Sequence, residues 1–131
     1  MQYAVPRRGL PGVASLHRWS LGAKGITLRI VGEREGRHLN RIYRGKNQAT
    51  NVLSFPYGGG RGDVVLCHPV IAREARAQGK SMRAHYAHLV VHGVLHLRGY
   101  DHQMKKDALR MERAEIRALS GFGLPDPYKV K

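Results

Sequence analysis

The sequence predicts an α+β fold in which helices pack on a small mixed β-sheet. Segments that resemble strands fall between residues 26 and 67, whereas most of the chain after residue 68 has helical periodicity. A chain of 131 residues is long enough for one hydrophobic core and short for two, so a single domain over 1–131 is expected.

The first half of the chain carries the strand patterns. Residues 1–25 are poorly defined because prolines and glycines interrupt them, and only a short helix over Val13–Trp19 is expected there. Ile26–Val31 alternates apolar and polar residues and is rich in β-branched side chains, which predicts a strand. A helix ending at Gly45 follows, since apolar residues recur at helical spacing before that glycine: Leu39, Ile42 and Tyr43.

Two further strands should follow this helix. Asn51–Phe55 predicts a strand that ends at Pro56, because proline donates no ladder hydrogen bond. Asp63–Cys67 is nearly all apolar, which indicates a strand inside the sheet with both faces covered. Cys67 is therefore expected to be a buried apolar side chain rather than a nucleophile.

Three helices are predicted after the strands. Pro69 suits the first turn of a helix over 69–78, and Gly79 suits its end. Ser81 can cap the next helix, which is apolar enough to lie at the centre of the fold. The last helix should span 105–119 and lead into an irregular tail.

The charge of the chain favours a polyanionic partner. Lys and Arg number 23 against 9 Asp and Glu, which leaves a net charge of +14 with histidine neutral. Such a field attracts nucleic acid or another anionic surface, although charge alone specifies neither. No run is long enough to span a bilayer and Cys67 is the only cysteine, so the cytoplasm is the expected location and no membrane partner is expected.

Three histidines in and just beyond the central predicted helix have the spacing of metal ligands. His92 and His96 lie four residues apart, so on a helix their rings leave the same face. Gly99 can adopt the left-handed conformation that ends a helix, which would turn His102 back toward the same ion. Three protein ligands leave one coordination position open, as in catalytic zinc sites.

His88 precedes His92 by one turn and competes for a place in this set. A rise of about 1.5 Å per residue separates His88 from His96 by about 12 Å, which is too far for one ion. Only His92 and His96 lie near enough to Gly99 for a third histidine to join them. His88 and His85 are then expected beside the site or at the polar surface.

The same spacing occurs in metzincin peptidases, where a glutamate after the first histidine acts as general base. Here Gly93 occupies that position, so the usual peptidase mechanism lacks its base. Asp101, next to His102, either orients a ligand or is a turn residue. Peptide hydrolysis is therefore disfavoured, but a metal site is still predicted.

Two upstream motifs accompany the histidine motif His92-Gly-Val-Leu-His96-Leu-Arg-Gly99-Tyr100-Asp101-His102. They are Asn40-Arg-Ile-Tyr-Arg44-Gly-Lys46 and Thr50-Asn51-Val-Leu-Ser54-Phe55-Pro56. In this order, over roughly residues 26–128, the chain resembles the YbeY-type endoribonucleases. It departs from them in a short N-terminal segment and in Gln103-Met104-Lys105-Lys106, where members are often acidic, which affects the rim of the site.

The resemblance implies a zincin-like fold and an endoribonuclease that matures ribosomal RNA, including the 3′ end of the small-subunit RNA, and acts in ribosome quality control. It implies one zinc ion per chain, held by His92, His96 and His102, and a functionally required arginine at Arg44. Arg44 and Lys46 flank Gly45 and are placed to contact a phosphate. Their alternative role is to balance the dipole of the helix that ends there.

Single-stranded RNA is the expected substrate, because unpaired bases can stack on aromatic side chains, although Tyr43 itself is expected in the core. Ribosomal RNA, ribosomal subunits and ribosomal proteins are the candidate partners. The nucleophile is either a metal-activated water or the RNA 2′-hydroxyl, with the metal then polarising the phosphate. Two alternatives stay open, namely a metallopeptidase and a non-enzymatic RNA-binding assembly factor with a structural zinc.

Overall fold

The computed structural model describes residues 1–100 and 105–129, which form a four-stranded sheet and five helices. The strands are β1 (Gln2–Tyr3), β2 (Ile26–Val31), β3 (Val52–Gly58) and β4 (Arg61–Cys67). The helices are α1 (Val13–Trp19), α2 (Glu33–Arg44), α3 (His68–Gln78), α4 (Met82–Leu97) and α5 (Lys105–Gly121). Within the described residues, none of these helices is long and apolar enough to cross a membrane.

The sheet is mixed, as the sequence predicts, with strand order β1-β2-β4-β3. β1, β2 and β4 run parallel, and β3 pairs antiparallel with β4. β4 therefore lies inside the sheet, where Val64 and Leu66 are fully buried and Cys67 is 2% exposed. The apolar run in β4 and the buried cysteine are both confirmed.

The prediction that Pro56 ends its strand is wrong. β3 continues to Gly58, and Pro56 pairs with Gly62 across the ladder. β3 is an edge strand, and edge strands tolerate proline because one side of their backbone needs no partner strand. The register shifts between Pro56 and Gly58, where the hairpin turns into β4.

The N-terminal segment contributes more to the fold than its sequence indicates. β1 pairs with β2 at the other edge of the sheet, and two residues are too few to show a strand period. α1 has the predicted bounds and buries Leu16 and Trp19 almost completely in the main core. The hydroxyl of Tyr3 donates a hydrogen bond to the carbonyl of Pro11 (2.7 Å), which ties the strand to the chain before α1.

The predicted helix boundaries follow local chemistry. Gly45 and Gly79 end α2 and α3 in the left-handed conformation, with φ of 70° and 66°. The Ser81 hydroxyl accepts a hydrogen bond from the backbone N–H of Ala84 (3.0 Å) and caps α4. α4 is central, as predicted, because it packs on β3, β4, α1, α3 and α5 and is buried along most of its length.

The expectation that Tyr43 lies in the core is also wrong, since this residue is 63% exposed. α2 packs on the sheet through its buried residues Gly36 and Asn40. Tyr43 lies about one turn further on, where its ring packs edge-on against the ring of Phe55 (centroids 4.9 Å apart). Phe55 belongs to the edge strand β3, so this contact lies at the rim of the sheet and leaves most of the tyrosine exposed.

Candidate metal centre

The position of α4 over the sheet depends on a glycine. A Cβ atom on Gly93 would lie 2.7 Å from Cγ1 of Val64 and 3.3 Å from Oγ of Ser54. Because Gly93 has no side chain, α4 lies close to β3 and β4, and the Ser54 hydroxyl donates to the Gly93 carbonyl (3.4 Å). The same contact leaves no room for a glutamate at this position.

A cleft of about 460 Å³ lies where α2, β3 and α4 meet. It is lined by both predicted ligands on α4, His92 and His96, and by both predicted phosphate-binding residues, Arg44 and Lys46. Asn40 supports the loop between α2 and β3, because its amide donates to the carbonyl of Gln48 (2.7 Å). The described residues that line the cleft include no carboxylate, so its charged groups are basic.

His102, the third predicted ligand, lies outside the described residues, as does Asp101. The turn that the prediction requires does occur, since α4 ends at Leu97 and Gly99 has a φ of 98°. The backbone N–H of Tyr100 then donates to the carbonyl of Leu95 (3.1 Å), which folds the chain back across the end of α4.

A buried carboxylate connects two histidines of α4 to α5 and the tail. Glu115 is 1% exposed, and its Oε2 accepts hydrogen bonds from Nε2 of His88 (2.7 Å) and Nδ1 of His92 (3.1 Å). Its Oε1 accepts from the hydroxyl of Tyr128 (2.6 Å). Because His92 donates Nδ1 to Glu115, a metal on this ring would bind at Nε2.

The electrostatics keep Glu115 ionised. Burial by itself raises the pKa of this carboxyl, but hydrogen bonds from His88, His92 and Tyr128 outweigh burial and hold the pKa at about 2. A buried carboxylate that receives three hydrogen bonds is a fixed negative charge behind the His92 ring.

Sequence reasoning did not identify Glu115 or Tyr128 as parts of the site. Glu115 had a detectable pattern, because it lies four residues from Met111 and from Leu119, which are both 1% exposed. A carboxylate in the apolar column of a helix requires a buried partner. Tyr128 had no such pattern, since it lies in an irregular tail beyond α5.

His88 contacts the buried carboxylate with its side chain 12% exposed, and its expected place outside the ligand set stays a prediction. Within the described residues, His88, His92 and Glu115 form a group that could hold a metal, with ligand atoms all within 4.8 Å of one another. His85 belongs to a different contact, since its Nε2 pairs with Oε1 of Glu74 at 2.9 Å.

The chain is similar to known proteins over nearly its whole length. The family described as "Endoribonuclease YbeY" matches residues 14–123. "Endoribonuclease YbeY" of Aromatoleum aromaticum is 54% identical, covering 95% of this chain and 86% of the relative. "Endoribonuclease YbeY" of Stenotrophomonas maltophilia K279a is 49% identical, covering 98% and 91%. The solution structure of TM1509 from Thermotoga maritima shares the fold, with a TM-score of 0.53, 23% identity and coverage of 98% and 97%.

Proposed function

Because this chain belongs to the endoribonuclease YbeY family, we propose that it is a zinc-dependent endoribonuclease that cuts single-stranded RNA. The observation that carries the proposal is the shared cleft, which is lined by His92 and His96 together with the cationic side chains Arg44 and Lys46. Cleavage of ribosomal RNA in the cytoplasm, by one domain over 1–131, is part of the same proposal.

The proposed zinc ligands are His92, His96 and His102. The first two are supported by their spacing of one turn on α4 and by the hydrogen bond that fixes Nδ1 of His92, a pattern typical of metal-binding histidines. The turn at Gly99 supports the third. When bound, the zinc would supply Lewis-acid chemistry at the scissile phosphodiester.

The group formed by His88, His92 and Glu115 is the other candidate for the ion. Its Glu115 oxygens already receive hydrogen bonds from both histidines and from Tyr128, so an ion there would have to displace these donors from a buried carboxylate. We therefore assign Glu115 to positioning His92, and place the substrate on the side of the cleft that contains Arg44.

Arg44 and Lys46 are the proposed ligands of the scissile phosphate. The Arg44 guanidinium can donate two parallel hydrogen bonds to phosphate oxygens and stabilise the charge that grows there in the transition state. Lys46 adds a point charge that helps to orient the phosphate. Since the described lining holds no carboxylate, an anionic backbone can enter the cleft without meeting negative charge.

The test compares metal-loaded wild type, a chelated sample and Arg44→Ala on single-stranded RNA and on a matched duplex, with product mapping. Chelation should abolish cleavage and zinc should restore it, while Arg44→Ala should lower the rate by about 10²–10³-fold. Arg113→Ala, an exposed arginine on α5, serves as the matched control and should cleave normally. Equal cleavage in all samples would indicate a contaminating nuclease and refute the proposal.

The two alternatives have distinct outcomes in the same preparation. Peptide cleavage that requires His92 and His96 would indicate a metallopeptidase. A chain that unfolds on chelation, yet fails to cut RNA when it is loaded with zinc, would indicate an assembly factor with a structural metal.

A further inference from the structure

Four arginines form a stripe along α2, which we call the arginine stripe. Arg34, Arg37, Arg41 and Arg44 follow one another at intervals of three, four and three residues, so they lie on one side of the helix. All four are exposed. Arg44 is the residue in the metal cleft, and the other three extend the stripe away from it by about 15 Å.

The charge of the arginine stripe is not cancelled by the carboxylates of the same helix. Glu33 pairs with Arg73 (2.8 Å) and Glu35 pairs with Arg29 (2.7 Å), and both partners lie on other elements. Within residues 1–100 and 105–129, no arginine of the stripe forms an ion pair. Like charges at these spacings destabilise a helix, so the stripe opposes the folding of α2 unless an anion binds to it.

The surface beside the stripe adjoins the metal cleft at a shared residue. Gln48 lines both the cleft that contains His92 and His96 and a second cleft of about 780 Å³. The second cleft shares Arg34, Arg37 and Asn47 with a third, of about 680 Å³, which Arg41 also lines. Glu33 and Glu35 line these clefts as well, but each carboxylate is paired with an arginine outside the stripe.

We propose that the arginine stripe binds the backbone of the single-stranded RNA as it leaves the cleavage site, an inference that rests on the proposed function. A length of about 15 Å corresponds to about four nucleotides of a strand with stacked bases, at an axial rise of about 3.4 Å each, and to fewer nucleotides of an extended strand. The stripe begins at Arg44, which the cleaved phosphate would contact. An RNA held at the cleavage site would therefore already lie at one end of the stripe. Cations spread along a groove fit a regularly charged polymer and read no bases, so this surface adds affinity without sequence preference.

The experiment measures binding of fluorescent RNA by the full chain in chelator, where no cleavage occurs. The test variant is Arg34→Gln/Arg37→Gln/Arg41→Gln, which leaves Arg44 intact. The control is Arg18→Gln/Arg113→Gln/Arg117→Gln, which removes the same charge from exposed positions on α1 and α5. Single strands of about 12 and about 3 nucleotides are titrated at several salt concentrations, since the shorter one fills the cleft but not the stripe.

For the longer strand, the negative slope of log K against log salt should become shallower by about 2 in the test variant, because each of the three lost phosphate contacts contributes about 0.7 to its magnitude. At about 0.1 M salt this corresponds to affinity weakened by about 100-fold. The control should keep the wild-type slope, and the short strand should bind both variants alike.

Equal loss in the two triple variants would refute the proposal, because net charge rather than the stripe would then explain binding. The same variants are also titrated with a fluorescent acidic peptide. A test variant that keeps its affinity for RNA but loses affinity for the peptide would also overturn the proposal and identify a protein-binding surface instead. Since the assay measures binding without cleavage, its result is independent of the cleavage experiment with Arg44→Ala. Failure of the proposed function and failure of the stripe proposal can therefore be told apart. Far-ultraviolet circular dichroism of each variant confirms that α2 remains folded.

Discussion

Replacing Gly93 by alanine should destabilise this protein, although the same change usually stabilises a helix. In a helix interior, alanine is favoured over glycine by about 1 kcal/mol. At position 93, however, the new Cβ would lie 2.7 Å from Cγ1 of Val64, a side chain that is fully buried in β4. Overpacking of this kind costs about 1–3 kcal/mol, so the net loss should be about 1 kcal/mol.

Urea unfolding in chelator, followed by circular dichroism, measures this loss without a contribution from bound metal. With an m value of about 2 kcal/mol/M, the midpoint should fall by about 0.5 M. Gly121→Ala is the matched control, since a Cβ there meets nothing within 4 Å and the residue ends α5. Its midpoint should stay the same or rise.

A double mutant tests the cause of the loss. Val64→Ala alone removes two buried methyl groups and should cost at least about 1.6 kcal/mol. In Gly93→Ala/Val64→Ala the new methyl group occupies part of the vacated space, so the pair should be less destabilising than the sum by about 0.5 kcal/mol or more. Additive losses, or a Gly93→Ala protein more stable than wild type, would refute the packing argument.

Three further predictions concern single contacts. Glu115→Gln keeps the shape of the side chain but removes its charge behind His92, so zinc affinity in a chelator competition should fall by about 10–100-fold, whereas Glu112→Gln on the same helix should not change it. Asn40→Ala removes the hydrogen bond to the Gln48 carbonyl and should lower the free energy of unfolding by about 1–2 kcal/mol, against about 0.5 kcal/mol or less for the exposed Asn47→Ala. Burial lowers the pKa of His68, so below about pH 6.5 the unfolded chain binds more protons than the folded one, and the free energy of unfolding decreases as the pH is lowered. In urea unfolding at several pH values, this decrease should be smaller in His68→Gln than in the wild type.

The elements that the sequence predicts correctly are those set by local chemistry. Gly45 and Gly79 end helices because they accept a left-handed backbone, and Ser81 caps α4 through its own hydroxyl. The spacing of His92 and His96 is likewise a property of one helix, so their common face required no knowledge of the fold.

The errors arise where a distant element decides the environment of a residue. Pro56 ends no strand because β3 is at the edge of the sheet, and Tyr43 is exposed because its ring packs against that edge strand rather than inside the core. Glu115 joins His92 only because α5 packs against α4, and Tyr128 joins them only because the tail returns to the same place. Such contacts depend on tertiary structure, which local periodicity does not encode.

Gly93 affects both the chemistry and the packing of the site. From the sequence, a glycine after the first histidine means only that the general base of the metzincin peptidases is missing. In the structure, this position faces Val64 and Ser54, so no acidic side chain could be accommodated there while α4 keeps its place on the sheet. The described part of the cleft offers Arg44 and Lys46 in place of that carboxylate, and cations fit a substrate that is itself an anion. Packing and charge therefore both favour a phosphodiester over a peptide, since the sheet excludes a carboxylate at position 93 and the same cleft that contains the histidine pair is lined by two cations.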